Sequence, residues 1–324
     1  MGSVPWGACW MSSRPGPGAR SPAAYPWYRR ATADLLALVW NAWGSLSYLL
    51  KGRGERARLY RRFCDENGLE LPGSERWLHR YHRRHERCKA TVVMGAVLKD
   101  LTKLERIYGR FRIVGREILE GCRERGAILV AFHVGPYSMI GPVLTRMGFD
   151  VTILARGDEV AAATGRDLAE VNRVLAERLA FHGFGTAQLV DSQAMLSLVQ
   201  IRKALGRKGL LLVYPDTAKS SSTAWAPLPF FRQQIAGHLG LAKLLQMTRA
   251  DVVHLVTWWD ERGDMVLEVL GPCPYRADAS PEELLRALYG PLEGLVARCL
   301  PQWTQLHSYD ELKFDAPLPA PKSS

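Results

Sequence analysis

Gly126-Ala-Ile-Leu-Val-Ala-Phe-His133-Val-Gly-Pro-Tyr-Ser138, continued by Met139-Ile-Gly-Pro-Val-Leu144, joins an unbroken apolar run to a histidine and then to a turn. Ala127 to Phe132 has the length and composition of a strand buried on both faces of a parallel sheet. Gly135 and Pro136 follow as a tight turn, with Pro at the first position of a new helix, where its missing N–H costs nothing. His133 therefore falls at the carboxyl end of a strand, the edge of an open α/β sheet where ligands bind. A histidine in that position can be a satisfied structural residue. It is also the side chain whose ordinary pKa suits proton transfer near neutral pH.

The segments around this run repeat the same grammar. Phe111–Val114 reads as a short strand, and 116–125 as a helix leading into the central strand. Val151-Thr-Ile-Leu154 is a second apolar strand, ending at Ala155-Arg156-Gly157-Asp158-Glu159. A helix over 168–182, a strand at Gln188–Val190, a helix over 194–205 and the strand Gly209–Tyr214, ending at Pro215-Asp216, come next. Thr217 to Pro229 reads as a Ser-rich loop, with Phe230-Phe231 before a helix over 236–246. Val252–Trp259 and Met265–Leu270 form a strand pair around Asp260-Glu-Arg-Gly-Asp264, and 281–300 is the last helix. Alternation of strand and helix predicts an α/β fold, with a mostly parallel central sheet flanked by helices and a basic helical N-terminal region.

The 324 residues are 47% hydrophobic, enough for one large α/β core. Cys9, Cys64, Cys88, Cys122, Cys273 and Cys299 show neither a CxxC pair nor a histidine at metal-ligand spacing, as in a reduced, cytoplasmic protein. The net charge is +11, and the segment from Lys51 to Arg125, with 20 Lys or Arg against 11 Asp or Glu, supplies +9 of it. Such a segment is either a solvated helical surface or faces an anion: phospholipid headgroups, the phosphates of coenzyme A, an acidic carrier protein or RNA. His79, His82 and His85 recur at three-residue spacing. They stand among Arg76, Arg80, Arg83, Arg84 and Arg87, whose charge opposes a bound cation, so a basic solvated face is expected and no metal site.

Residues 1–28 are rich in Gly, Pro, Ser and Ala without periodicity and are expected to be disordered, without the features of a secretory signal. Leu35–Leu50 is the most apolar window, flanked by Arg29, Arg30, Lys51 and Arg53. It is shorter than the roughly 20 apolar residues of a spanning helix and is interrupted by Asn41, Ser45 and Ser47. An interfacial helix, with Trp40, Trp43 and Tyr48 at headgroup depth, and a helix packed on the protein's own core both fit.

His133, Asp216 and Arg156 thus come from three strand ends at one sheet edge. The set suits acyl transfer, with an imidazole taking the proton of an attacking hydroxyl or amine and donors stabilising the oxyanion. The order of segments from about Leu35 to about Phe314 resembles the bacterial lipid A late acyltransferase family, the lauroyl and myristoyl transferases, and their mycobacterial mannoside-acylating relatives. The likeness rests on the basic helical region, the strand ending in His133 and Arg156 after the next strand. It also rests on Ala204-Leu-Gly-Arg-Lys-Gly-Leu-Leu-Leu-Val-Tyr-Pro-Asp216, Pro227-Leu-Pro-Phe-Phe231, and Pro301-Gln-Trp303 with Leu306-His307.

The resemblance implies an acyltransferase-like α/β domain over 53–315, a membrane-surface or amphipathic helix over 29–52 and a tail over 316–324. It implies a thioester donor, acyl-CoA or acyl carrier protein, a lipid or small-molecule acceptor, no cofactor, and a cytoplasmic protein peripheral on the inner membrane. Arg156, Glu159, Phe230 and Phe231 are the implied substrate-binding residues. One position departs from the family's motif of His, four residues, then Asp or Glu: here Ser138 ends it. A serine hydroxyl can hydrogen-bond to His133 but brings no charge. Three accounts stay open: another carboxylate supports His133, Asp216 first and Glu159 second; Ser138 relays to it in a more modest acid–base system; or the chain is a binding scaffold or uses another donor. An aminoacyl-tRNA donor would also suit the basic face, although no RNA-binding motif accompanies it.

Overall fold

The structure is a computed structural model. It describes residues 111–314 apart from 183, 193–195, 218–223 and 277, together with 53–70, 76–86 apart from 77 and 85, and six positions between 39 and 50. Segments 1–28 and 316–324 lie outside the described residues, as do Ser74, Trp77 and His85.

Seven strands form one sheet in the order β1-β9-β8-β2-β5-β3-β4: β1 (Phe111–Val114), β2 (Ala127–Ala131), β3 (Val151–Ala155), β4 (Ala187–Asp191), β5 (Leu210–Val213), β8 (Val252–Trp259) and β9 (Met265–Pro272). β2 lies at the centre. It runs parallel to β5 and β8, β5 parallel to β3, and β3 parallel to β4. Only the far edge is reversed, where β9 pairs antiparallel to β8 and β1 follows β9 in parallel. The sheet is thus mostly parallel and flanked by helices.

The apolar run at β2 has a two-sided reason. All five residues are buried; Ile128 and Val130 face one core with Phe132, while Ala127, Leu129 and Ala131 face the other. Burying Ile128, Leu129, Val130 and Phe132 contributes roughly 1.5–3 kcal/mol each. The first core is closed by α1 (Arg53–Asn67), through Tyr60, Phe63 and Cys64, and by the long helix Pro281–Cys299. That helix starts on Pro281 behind a capping box, in which Ser280 Oγ accepts from Glu283 N and Glu283 Oε2 accepts from Ser280 N at 2.8 Å. Its Leu284, Leu285, Leu288, Leu292, Leu295 and Val296 recur every three or four residues and face inward. Pro291 cannot donate to Ala287 O; the Cys273 thiol donates there instead, at 3.4 Å, and His254 Nε2 donates to Leu288 O at 2.9 Å. Burial lowers the His254 pKa, and this histidine is a core group rather than a site residue.

Four expectations need correction. The stretch read as a loop up to Pro229 contains β6 (Trp225–Phe230), which pairs antiparallel with β7 (Gln233–His238) in a separate two-stranded ribbon. Ala236, expected in a helix, belongs to β7, and the helix starts at Leu239. Pro136 does not open an α-helix: a 3-10 turn, Tyr137–Met139, comes first and the helix runs Ile140–Arg146. Tyr81 and His82 are buried, so the helical stretch 78–84 packs on the domain and is not a solvated face throughout.

No helix among the described residues is long and apolar enough to cross a membrane. Within Leu35–Leu50, the described Val39, Leu46, Leu49 and Leu50 are all exposed.

Candidate active site

Because β2, β5, β3 and β8 are parallel, His133, Asp216, Arg156 and Trp259 all leave the sheet at its carboxyl edge. The continuous buried run of the strand ends at Phe132, and His133 begins the loop, with Val134 again buried.

That loop is fixed on every side. The backbone N of His133 donates to both carboxylate oxygens of Asp216, at 3.2 and 3.0 Å. His133 O accepts from Thr304 N at 2.8 Å and Thr304 Oγ1 at 2.9 Å. Val134 O accepts from Thr257 Oγ1 at 2.7 Å, and Gly135 N donates to Gln302 O at 2.9 Å. Gly135 has φ +58, and a Cβ there would strike the backbone of Thr257 and Trp258. Glycine is required on both counts.

The ring of His133 meets Asp216 with Nδ1 at 2.9 Å from Oδ1. Asp216 is 1% exposed and the His133 side chain 15%. Trp303 Nε1 donates to the other oxygen, Oδ2, at 3.0 Å. A buried carboxylate that already accepts from a backbone N–H and an indole N–H acts as an acceptor toward the ring as well. In the neutral ring this assigns the proton to Nδ1 and leaves Nε2 with its lone pair. Tyr137 and Tyr214 flank the imidazole, with ring centroids 4.7 and 4.9 Å away, and Tyr214 OH donates to Tyr137 O. Burial pushes the Tyr214 hydroxyl pKa well up, so this phenol stays neutral.

The chain beyond Asp216 is held too. Tyr289 OH donates to Pro215 O at 2.7 Å, and Thr217 Oγ1 shares a 2.7 Å hydrogen bond with Nε2 of His238. Burial lowers the His238 pKa to about 4, partly opposed by a hydrogen bond to Thr217 and the charge of Asp216.

The other residues singled out from sequence fall in different places. Ser138 lies in the 3-10 turn, half-buried; the carboxylate that reaches His133 is Asp216. Arg156 caps the helix Gly157–Thr164 at the end of β3, and its Nε donates to Asp158 Oδ1 at 3.2 Å. Glu159 lies in that helix, its side chain outside the described residues. Phe230 is buried between Phe63 and Trp303, and Phe231 stands at the β6–β7 turn with φ +52, edge-on to Phe63. Both rings pack against Phe63, and Phe230 also against Trp303, whose indole holds Asp216. Trp303 had no site role in the sequence reading beyond its place in Pro301-Gln-Trp303, and nothing local marks it: its partner is 87 residues away.

Among the described residues no group of histidine, cysteine and acidic side chains is arranged to hold a metal ion. The described cysteines, Cys64, Cys122, Cys273 and Cys299, are free thiols. No protein-family model matches the chain, and no curated protein sequence matches it. The arrangement at hand is a buried carboxylate that orients a partly open imidazole. It can accept a proton at Nε2 and stabilise the imidazolium that results.

Proposed function

We propose that the protein is an acyltransferase that moves an acyl group from a thioester donor to a hydroxyl or amine. The observation that carries this is the His133–Asp216 pair, 2.9 Å apart at the carboxyl edge of the central strands. His133 Nε2 takes the proton of the attacking hydroxyl or amine as its oxygen or nitrogen bonds to the thioester carbon. The tetrahedral intermediate then collapses, the C–S bond breaks, and the thiolate leaves with the proton returned from His133. Asp216 holds the ring and stabilises its cationic form, the role that the resemblance to lipid A acyltransferases assigns to a carboxylate at position 138. Acyl-CoA or acyl carrier protein is the donor, and a lipid or specialised metabolite the acceptor. Leu35–Leu50 then rests on an anionic membrane surface without crossing it: exposed apolar Val39, Leu46, Leu49 and Leu50 stand between basic flanks.

The test is thiol release and product formation with acyl-CoA, acyl carrier protein and a panel of hydroxyl and amine acceptors. Turnover that His133→Ala lowers by about two to four orders of magnitude, with the fold retained, is the expected result. A folded His133→Ala variant with full activity overturns it.

A further inference from the structure

A second group of charged side chains lies at the same sheet edge. Residues 78–84 pack against the end of β8, with Tyr81 stacked edge-on to Trp259 at 5.5 Å. Arg80, Tyr81, Arg84, Trp259, Glu261 and Gln302 line a small, partly open cleft at the surface. Arg80 and Arg84 are four residues apart and so share one helical face. The Arg84 guanidinium lies so close to Gly263 that a Cβ there would collide with it. Its pKa is lowered by burial and then by Arg80 and Arg83, with Asp260 and Asp264 opposing. Asp260 Oδ1 is already used by Asp264 N within the β8–β9 turn, at 2.8 Å. Over the aromatic floor of Tyr81 and Trp259, Arg80 and Arg84 set two guanidinium groups against the one carboxylate of the lining, Glu261, while Asp260 and Asp264 also act on Arg84; the two guanidinium groups can receive an oxyanion.

The cleft is built into the frame of His133. Tyr81 OH donates to Gln302 O at 3.0 Å, the carbonyl that also receives Gly135 N. The Gln302 side chain clasps the Trp259 backbone, accepting from its N at 2.7 Å and donating to its O at 3.0 Å. The next residue, Trp303, holds Asp216.

We propose that the Arg80–Arg84 cleft binds a phosphoryl group of a substrate, anchoring it while its reactive end lies toward His133. This rests on the acyl-transfer reading, since the arm of a coenzyme A or carrier-protein thioester carries such a group. A phospholipid headgroup offers the same chemistry.

The full chain is titrated by calorimetry with 4′-phosphopantetheine and with pantetheine, which lacks the phosphate, and is sedimented with phosphatidylglycerol vesicles. Phosphopantetheine is expected to bind at least about tenfold tighter than pantetheine. Arg84→Gln and Arg80→Gln erase that difference, while Arg207→Gln, at the opposite sheet edge, keeps it. Vesicle binding lost in Arg80→Gln and Arg84→Gln, with no discrimination between the two pantetheines, also supports the site and assigns the phosphoryl group to a headgroup. Equal affinity for both pantetheines, with vesicle binding unchanged in the variants, overturns it. If Arg84→Gln does not fold, the more exposed Arg80→Gln carries the same readouts. Phosphate-dependent binding without acyl transfer would sink the acyl-transfer reading and leave the site standing; acyl transfer with neither phosphate discrimination nor any effect of the variants on vesicle binding would do the reverse.

Discussion

Trp303 and Asp216 meet 87 residues apart in sequence, the indole Nε1 donating to Oδ2 at 3.0 Å while the other carboxylate oxygen faces the ring of His133. Asp216 is buried, so each of its acceptor positions must be filled from within the protein. The backbone of His133 fills one, the ring a second and Trp303 a third. The indole thereby sets the rotation of the carboxylate, and the carboxylate sets the ring.

Replacing Trp303 with Phe keeps most of the ring volume and removes that donor. A hydrogen bond to a charged group contributes about 1.5–3 kcal/mol, and urea denaturation of Trp303→Phe should show a loss of that order. Acyl transfer should fall more in kcat than in KM, because the lost contact orients the base rather than binds substrate. Unchanged stability and unchanged kcat would remove Trp303 from the site.

Asp216 and Ser138 are rival supports for His133, and their substitutions separate the two. Asp216→Asn leaves a side chain of the same shape without the charge that favours the imidazolium. A loss of about three to four orders of magnitude in kcat is expected, against less than about threefold for Ser138→Ala. The reverse order, measured on variants with native circular dichroism, would return the supporting role to Ser138.

The central sheet was legible because it is buried on both faces: Ala127–Ala131 and Leu210–Val213 are unbroken apolar runs, and Val252–Trp259 is interrupted only by His254 and Thr257. Asp216 was legible as a strand-end carboxylate, since a Pro-Asp after an apolar run stops a strand at the ligand edge. The β6–β7 ribbon was not. Pro227 and Pro229 argue against a strand, yet they alternate, so both can point their missing donors away from the one partner strand. Trp303 was not legible as a site residue because its meaning is a contact across the fold, and no spacing encodes it. The burial of His82 was hidden by arginines on either side, whose exposure says nothing about the face between them.

Gly135 holds the turn after His133 with φ +58 and backbone on its Cβ side. Gly135→Ala must strain or shift the loop that also carries the Gln302 contact. A stability loss of roughly 1–3 kcal/mol is expected, together with reduced kcat. Gly165, also at positive φ but with open space around it, is the control: Gly165→Ala should cost less and leave turnover unchanged. Equal effects of the two substitutions would show that backbone strain alone is at work, without the steric wall.

The exposed Leu46, Leu49 and Leu50 bear on membrane docking. Full-length protein should sediment with anionic liposomes, and the combined Leu46→Glu and Leu49→Glu variant should release it by placing charge at the acyl boundary. Release of the unaltered protein by high salt would fit a surface contact. Failure of the full-length chain to sediment would make a soluble acceptor the better substrate class.

The pH dependence of stability is set in part by His238, whose folded pKa, about 4, lies below the ordinary histidine value of about 6.5. Between those values the unfolded chain binds a proton at this residue and the folded chain does not, so stability rises with pH across the window. The contribution is therefore present in full above about pH 6.5, is lost as pH falls toward about 4, and is level below that. A shift of this size corresponds to something on the order of 3 kcal/mol. His254 is lowered in the same direction by burial, and both proteins in a comparison with His238→Gln retain it, so it cancels in their difference. Urea denaturation of wild type and His238→Gln at several pH values should give a stability difference that favours wild type most at pH 7.5 and shrinks toward pH 4. A difference that stays constant with pH would mean that His238 titrates alike in both states, and that its hydrogen bond with Thr217 Oγ1 does not depend on a neutral ring.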